Sequence, residues 1–469
     1  MRASILRIST VVAALALAPA APAAGPSLVL GATEDAVRSV TLAESKTQMD
    51  LLALAGFRGV RITQIWVPGE RSLSDHDETV LDNVAAAAKL ANVTVLTSVM
   101  NAGSRTTPVS EQDQLDFAAY AASVVKKVPA LQIVIVGNEP NLNRYWLPQF
   151  NEDGSDAAAP AYESLLALTY DAVKAAAPRV TVLGGAVSPR GGDVGGGIRP
   201  THSPTVFIHD LGQAYRDSGR TTPLMDGFAF HPYEDNSSIA PVDGTHPNST
   251  TIALADYPKL VASLGDAFPD GYSMPIWYDE FGVESQIPAA KQDLYTAVEP
   301  ATTKPVPEAT QAAYYRQAVQ LVFCQPNVRG LFLFHSVDEK DLTAWQSGVY
   351  FADGTPKSSL PAVKLALEQS RRGVVTHCDG LELTVLPKVS QKGPVLTLTC
   401  DLDCSYVAEL YRLPGRLIVT KRGRAIGGRP TTLPLRVPVA KGQYRLRLTA
   451  VAPVNPAPPT LKLVALRHG

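Results

Sequence analysis

Cysteine is scarce in this chain, with 4 among 469 residues, and none of the four stands in a zinc-binding spacing. The 8 histidines are scattered and no His-Glu-x-x-His occurs, so neither a metal nor another cofactor is expected. The Gly-x-Gly-x-x-Gly of a dinucleotide fold is missing after the first apolar run. The glycine-rich piece 191–197 lacks the Gly-Lys-Ser/Thr of a phosphate loop, which leaves it as a flexible surface turn. Past the amino terminus no stretch reaches the roughly 18 uninterrupted apolar residues of a membrane helix, so no membrane span is expected. No internal repeat is evident. No nucleic-acid-binding motif accompanies the basic residues, so nucleic acid is not an expected partner.

The amino-terminal segment differs from the rest. Arg2 and Arg7 precede an apolar stretch at 11–18, and small residues with an Ala-x-Ala at 21–23 follow. This is the pattern of a secretory signal, too short for a transmembrane helix. The expectation is a signal peptide over 1–24 and a secreted protein, extracellular or periplasmic. Four cysteines suit an oxidising compartment and allow three pairings. Cys400 and Cys404 bracket Asp-Leu-Asp, which suits a small local loop and leaves Cys324 with Cys378. Free, buried cysteines are the alternative.

The formal net charge is only −2, but it is unevenly spread. From Arg371 onward there are 16 Lys and Arg against 5 Asp and Glu, and before it 26 against 39. A basic tail of this kind suits adhesion to an anionic cell-wall polymer. Attraction between an acidic domain and a basic one explains the same numbers.

From residue 28 to about 365, short apolar runs alternate with amphipathic stretches. Eight runs have strand character: 28–31, 59–62, 93–96, 133–136, 180–183, 227–230, 275–278 and 330–334. Their continuous apolar character suits strands covered on both faces. Helical stretches lie between them, for example 42–55, 110–128 with acidic residues in its first turn, 162–177 and 310–323. Eight strands alternating with helices predict an α/β fold, a (β/α)8 TIM barrel over 25–368. Long connections near 190–206, 233–256 and 284–308 are rich in Pro, Gly, Ser, Asn and Thr, as loops shaping a cleft at a barrel mouth tend to be. Beyond 371 the pattern becomes short alternating runs at 381–386, 395–399, 417–420, 433–439, 444–448 and 461–464. These predict a small all-β sandwich over 369–469.

Two barrel runs end abruptly in a glutamate: Val136-Gly137-Asn138-Glu139-Pro140 and Trp277-Tyr278-Asp279-Glu280-Phe281-Gly282. In a parallel barrel both carboxylates emerge at the C-terminal mouth, where such barrels do chemistry. Paired carboxyl groups across a mouth are what glycosidic cleavage needs. Strict alternation sets Ile276, Tyr278 and Glu280 on one face, with Trp277 and Asp279 towards the helices. It likewise aligns Ile135, Gly137 and Glu139, the glycine leaving room for a sugar ring, and points His231 and Tyr233 the same way.

Four segments, in this order, resemble the retaining glycoside hydrolases of clan A, which include cellulase-like and xylosidase-like families. Gly56-Phe57-Arg58-Gly59-Val60-Arg61-Ile62 resembles the second-strand segment that presents an arginine. Gly137-Asn138-Glu139-Pro140 resembles the fourth-strand acid/base signature. Phe230-His231-Pro232-Tyr233 resembles the sixth-strand His-x-Tyr, and Asp279-Glu280-Phe281-Gly282 the seventh-strand nucleophile. The resemblance implies Glu280 as nucleophile, kept ionised by Arg61 and oriented by Tyr233, and Glu139 as acid/base with a raised pKa. It implies that Asn138 bonds the sugar 2-hydroxyl and that His231 lines the site. The chain departs from the family at the end of the eighth strand, where His335 stands in place of the expected tryptophan. Trp345, Trp66, Tyr145 and Trp146 are the candidate stacking surfaces for a carbohydrate substrate, or else packing residues. Two other readings stay open: a carbohydrate-binding barrel without turnover, and a surface adhesin acting through the basic domain.

Overall fold

The computed structural model describes residues 25–374, 378, 385–400, 404–427, 429–438, 442–452 and 459–466. The expected signal segment 1–24 and most of the expected run at 381–386 lie outside the described residues. Eight parallel strands close into a barrel in sequence order. They are β1 (Val29–Thr33), β2 (Gly59–Trp66), β3 (Thr94–Asn101), β4 (Ile133–Val136), β5 (Thr181–Val187), β6 (Gly227–Phe230), β7 (Ile276–Phe281) and β8 (Val328–Phe334). Eight helices intervene: α1 (Leu42–Ala55), α2 (Asp75–Ala91), α3 (Glu111–Lys127), α4 (Ala158–Ala176), α5 (Pro204–Asp217), α6 (Tyr257–Ala267), α7 (Glu308–Phe323) and α8 (Leu360–Arg371). Among the described residues no helix is long and apolar enough to cross a membrane.

Local chemistry explains several boundaries. Thr41, Ser74 and Ser110 each accept a backbone N–H from the first turn of α1, α2 and α3, a contact that stabilises a helix start by about 1 kcal/mol. Glu111 and Asp113 add negative charge at the start of α3, where the helix dipole favours it. Gly56 ends α1 in the left-handed region at φ +99°, which a Cβ would disfavour.

Two apolar layers follow from strand alternation. Leu96, Ile135, Leu183, Ala186, Ala229, Trp277 and Phe332 fill the barrel interior. A larger core between strands and helices includes Val60, Ile62, Val134, Val136, Phe228, Phe230, Ile276 and Tyr278. Closure between β1 and β8 is reinforced by a third strand-end glutamate. Glu34 Oε2 accepts hydrogen bonds from Ser336 N, Ser336 Oγ and Val337 N at 3.2, 2.7 and 3.2 Å.

After the barrel come antiparallel strands in two sheets, ordered β13-β10-β9 and β12-β11-β14-β15. They are β9 (Pro387–Lys392), β10 (Val395–Cys400), β11 (Cys404–Arg412), β12 (Arg416–Ala425), β13 (Thr431–Arg436), β14 (Tyr444–Val451) and β15 (Thr460–Leu466). This is the expected small sandwich, with β9 and β11 added to the strands read from sequence. Its apolar core includes Phe323 and Cys324 from the end of α7. Cys324 pairs with Cys378 across 54 residues, and Cys400 pairs with Cys404. On chain entropy a loop of the first size contributes about 4 kcal/mol.

Candidate active site

β2 alternates along its length. Val60 and Ile62 lie in the helix-facing core, so Arg61 between them points into the barrel. Its guanidinium is 3 % exposed and joins three segments. Nη1 lies 3.1 Å from Glu280 Oε1, Nη2 donates to Asn138 Oδ1 at 2.9 Å, and Nε lies 3.6 Å from Asp279 Oδ2. Burial pulls the guanidinium pKa down, but Glu280 and Asp279 outweigh it and push the value up, so Arg61 is a cation.

At β4, Ile135 faces the interior, and the chain then leaves strand geometry. Gly137 has φ +81° and Glu139 φ +40°. The expectation that Gly137 leaves room for a sugar needs correcting. A Cβ there would meet the Tyr162 ring at 3.3 Å, on the helix side. The glycine is required by its positive φ. Glu139 N donates to Ala186 O at 2.8 Å, which ties this turn to β5 and holds the carboxyl at the mouth.

β6 keeps its alternation beyond its last residue. Phe228 and Phe230 face the helices, Ala229 faces the interior, and His231 and Tyr233 follow on the inner side. Tyr233 Oη donates to Glu280 Oε2 at 3.0 Å. His231 Nδ1 lies 3.1 Å from Glu139 Oε1 and 3.5 Å from Glu280 Oε2, while Nε2 lies 3.3 Å from Asp279 Oδ2. Two oxygens at these distances from one nitrogen are separated by at most the sum, about 6.6 Å.

β7 departs from strict alternation. Ile276 and Tyr278 belong to the helix-facing core and Trp277 to the interior, the reverse of the expected faces. The pairing with β8 shifts register between Tyr278 and Phe281. Such a bulge adds a residue to one strand and re-aims a side chain. Here Asp279 and Glu280 both reach Arg61 and His231, while Phe281 returns to the helix-facing core. Glu280 is therefore at the mouth, and Asp279, fully buried, belongs to the same cluster. Sequence reading missed Asp279 for that reason.

The electrostatics are those of a dry, crowded site. Burial pushes the Glu280 carboxyl up, with Glu139 and Asp279 adding to the effect, while His231 and Arg61 pull it down. Burial alone would push His231 down, but Glu280, Asp279 and the bond to Glu139 raise it to about 10. It is an imidazolium at neutral pH. Burial, then the nearby Glu280 and Glu139, push the Tyr233 phenol well up, so it stays a donor.

The proposed stacking residues separate into two groups. Trp66 and Trp146 are not available to a ligand. Trp66 is fully buried against the edge of Phe117 with Nε1 donating to Glu70 O at 2.8 Å, and Trp146 is buried against Tyr162. Both lie in the helix-facing core. Tyr145 is half-buried, and burial followed by the charges of Glu139 and Glu280 pushes its phenol up to about 12. Trp345 is half-buried with its ring 4.9 Å from Tyr233 and 5.3 Å from Phe334, beside the nucleophile candidate. A Cβ on Gly282 would lie 3.3 Å from that indole. His335 bonds Thr33 O at 3.0 Å through Nδ1, packs on Phe334, and has Nε2 3.6 Å from Glu339 Oε2. A separate concavity of about 670 Å³, lined by Phe150, Asp156, Glu163, His202 and Asp210, lies on the flank between α4 and α5 and shares no residue with the cluster.

No protein-family profile matches this chain, and no curated protein does. Solved structures do. A GH5_18 protein from Streptomyces cattleya in complex with GlcNAc matches at TM-score 0.50 and 15 % identity, over 74 % of this chain and 81 % of that one. A glucosidase from Croceicoccus marinus matches at TM-score 0.50 and 12 % identity, over 82 % and 88 %. β-Glucuronidase 2 of Bacteroides uniformis matches at TM-score 0.45 and 10 % identity over 94 % of this chain, which spans only 45 % of that protein's length. At these identities the likeness is one of fold, the closed (β/α)8 barrel of these glycoside hydrolase structures.

Proposed function

We propose that the protein is a retaining glycoside hydrolase acting on a β-linked or equivalent equatorial glycoside. One observation carries the reading. Glu139 and Glu280 approach a single nitrogen of His231 at 3.1 and 3.5 Å. Retaining enzymes hold their carboxyl groups about 5–5.5 Å apart, and two carboxylate oxygens within about 6.6 Å of each other are compatible with that spacing. Glu280 attacks the anomeric carbon as the carboxylate, held by Arg61 and Tyr233. Glu139 protonates the leaving oxygen and then takes the proton of the incoming water. Asn138, fixed by Arg61, offers its amide to the 2-hydroxyl. Tyr145 and Trp345 are the aromatic surfaces left for the sugar.

Glu139→Gln and Glu280→Gln should each lower turnover by roughly three orders of magnitude or more while the protein stays folded. Near-normal activity in either variant would overturn the assignment. A fluorinated glycosyl inhibitor should leave an adduct on Glu280, readable by mass spectrometry. Binding of sugars with no adduct and no turnover would instead support a carbohydrate-binding barrel. The two disulfides support an exported protein.

A second reading concerns the basic domain. Cross-strand pairing sets Arg424 beside Ser405, Arg422 beside Val407, Arg447 beside Glu409 and Arg445 beside Tyr411. The four exposed arginines thus run diagonally over one sheet face, with Glu409 as the acid among them. Such a stripe suits a linear anionic polymer of the cell wall. Retention on polygalacturonate that survives replacing all four arginines by Gln would refute it.

A further inference from the structure

The mechanism above gives no step to two ionisable groups of the cluster, His231 and Asp279. Asp279 is 0 % exposed, touches no cleft, and reaches the two cations of the site, Arg61 at 3.6 Å and His231 at 3.3 Å. Its backbone carbonyl is anchored by Thr33 Oγ1, which donates at 2.6 Å from β1. A buried carboxylate of this kind is costly unless charge opposes it.

We propose that Asp279 is a positioning residue that, from beneath the catalytic pair, holds His231 with one ring nitrogen on its own carboxylate and the other against Glu139 and Glu280. The inference rests on the glycosidase reading above. The charges facing His231 are Glu139 from the β4 turn, Asp279 and Glu280 from β7, and Arg61 from β2 beyond them, with the Tyr233 hydroxyl on its own segment. β5, on the other side, gives only the Val187 carbonyl, bonded to His231 N at 3.0 Å.

Both ring nitrogens of His231 face carboxylate oxygens, Nδ1 those of Glu139 and Glu280 and Nε2 that of Asp279, and only an imidazolium donates from both. His231 Nδ1 can donate to Glu139 Oε1, leaving the other oxygen for the substrate. Without the Asp279 charge, Nε2 faces no anion and the ring loses the partner that fixes it from below.

The test is Asp279→Asn, which keeps shape and removes charge, examined by two readouts on the full chain. The first is the ¹⁵N chemical shift of the His231 ring between pH 6 and 10. Wild type should remain imidazolium past pH 8. In the variant His231 should lose its proton at lower pH, because the anion facing Nε2 is gone. The second is a double-mutant cycle with His231→Asn. If Asp279 acts through His231, the double variant should lose little more activity than the worse single variant. Unchanged ring titration would overturn the proposal, as would full additivity in the cycle. Should Asp279→Asn fail to fold, the wild-type ring decides alone, since a neutral His231 at pH 8 refutes the pinning. The ring titration needs no substrate, so absence of glycosidase activity with an intact imidazolium defeats the functional reading and not this one.

Discussion

Arg61 is the residue whose loss should be felt in two ways at once. Its side chain touches Glu280, Asn138 and Asp279 at 3.1, 2.9 and 3.6 Å and is almost wholly buried. Arg61→Met keeps much of the volume and removes the charge. His231 then stands as the lone cation among the carboxyls of Glu139, Asp279 and Glu280. Removing one partner of a buried ion pair costs about 3–5 kcal/mol, unless a carboxyl takes up a proton. Glu280 is already pushed up by burial and held back by His231 and Arg61, so the loss of the adjacent guanidinium should push its pKa up further. A nucleophile must be ionised. A higher pKa therefore moves the acidic limb of kcat/KM to higher pH, and below it each unit costs about tenfold. Arg61→Lys separates charge from shape. It should keep the limb near its wild-type place yet lower kcat, because an ammonium cannot bridge three groups as a guanidinium fork does. The assay is a pH–rate profile with an activated glycoside, beside a urea melt of each variant. An Arg61→Met protein with an unmoved acidic limb and kcat/KM within about threefold of wild type would refute the reasoning.

Three further outcomes are expected. His231 has a folded pKa near 10 against an ordinary 6.5, so its contribution to stability is complete below about pH 6.5 and is lost as pH rises through about 10. The urea midpoints of wild type and His231→Asn should converge over that range, and a gap that widens with pH would contradict the sign. Lys357 is fully buried with Nζ on Asp338 Oδ1, Ser285 Oγ and Gln346 O at 2.7, 2.8 and 3.0 Å, so Lys357→Met should destabilise by about 3–5 kcal/mol, read as a fall in the denaturation midpoint. Gly137→Ala should cost about 1–2 kcal/mol for its left-handed φ and lower kcat by displacing Glu139. A variant as stable and active as wild type would show that the turn tolerates a side chain.

The barrel was legible because each of its strands is a short apolar run that needs no partner to be recognised. β4 and β6 match their expected bounds to the residue, and α1 does too. The arginine at β2 was readable through the family resemblance of its segment, and the His-x-Tyr after β6 also through alternation, which holds there. The aromatic candidates were less legible. Trp66 is the eighth residue of β2 and Trp345 lies in a loop, yet it is the loop residue that stands at the mouth, and local pattern carries no information about which indole a helix covers.

Composition and periodicity by themselves determined a (β/α)8 barrel, a sandwich after it, and two glutamates at strand ends on the same side of that barrel. Tertiary structure alone decided that Asp279 joins them. Alternation is a property of one strand's backbone, whereas the bulge in β7 arises from its register with β8. That register is fixed only when the barrel closes, and it turns two consecutive acids toward the same arginine and histidine.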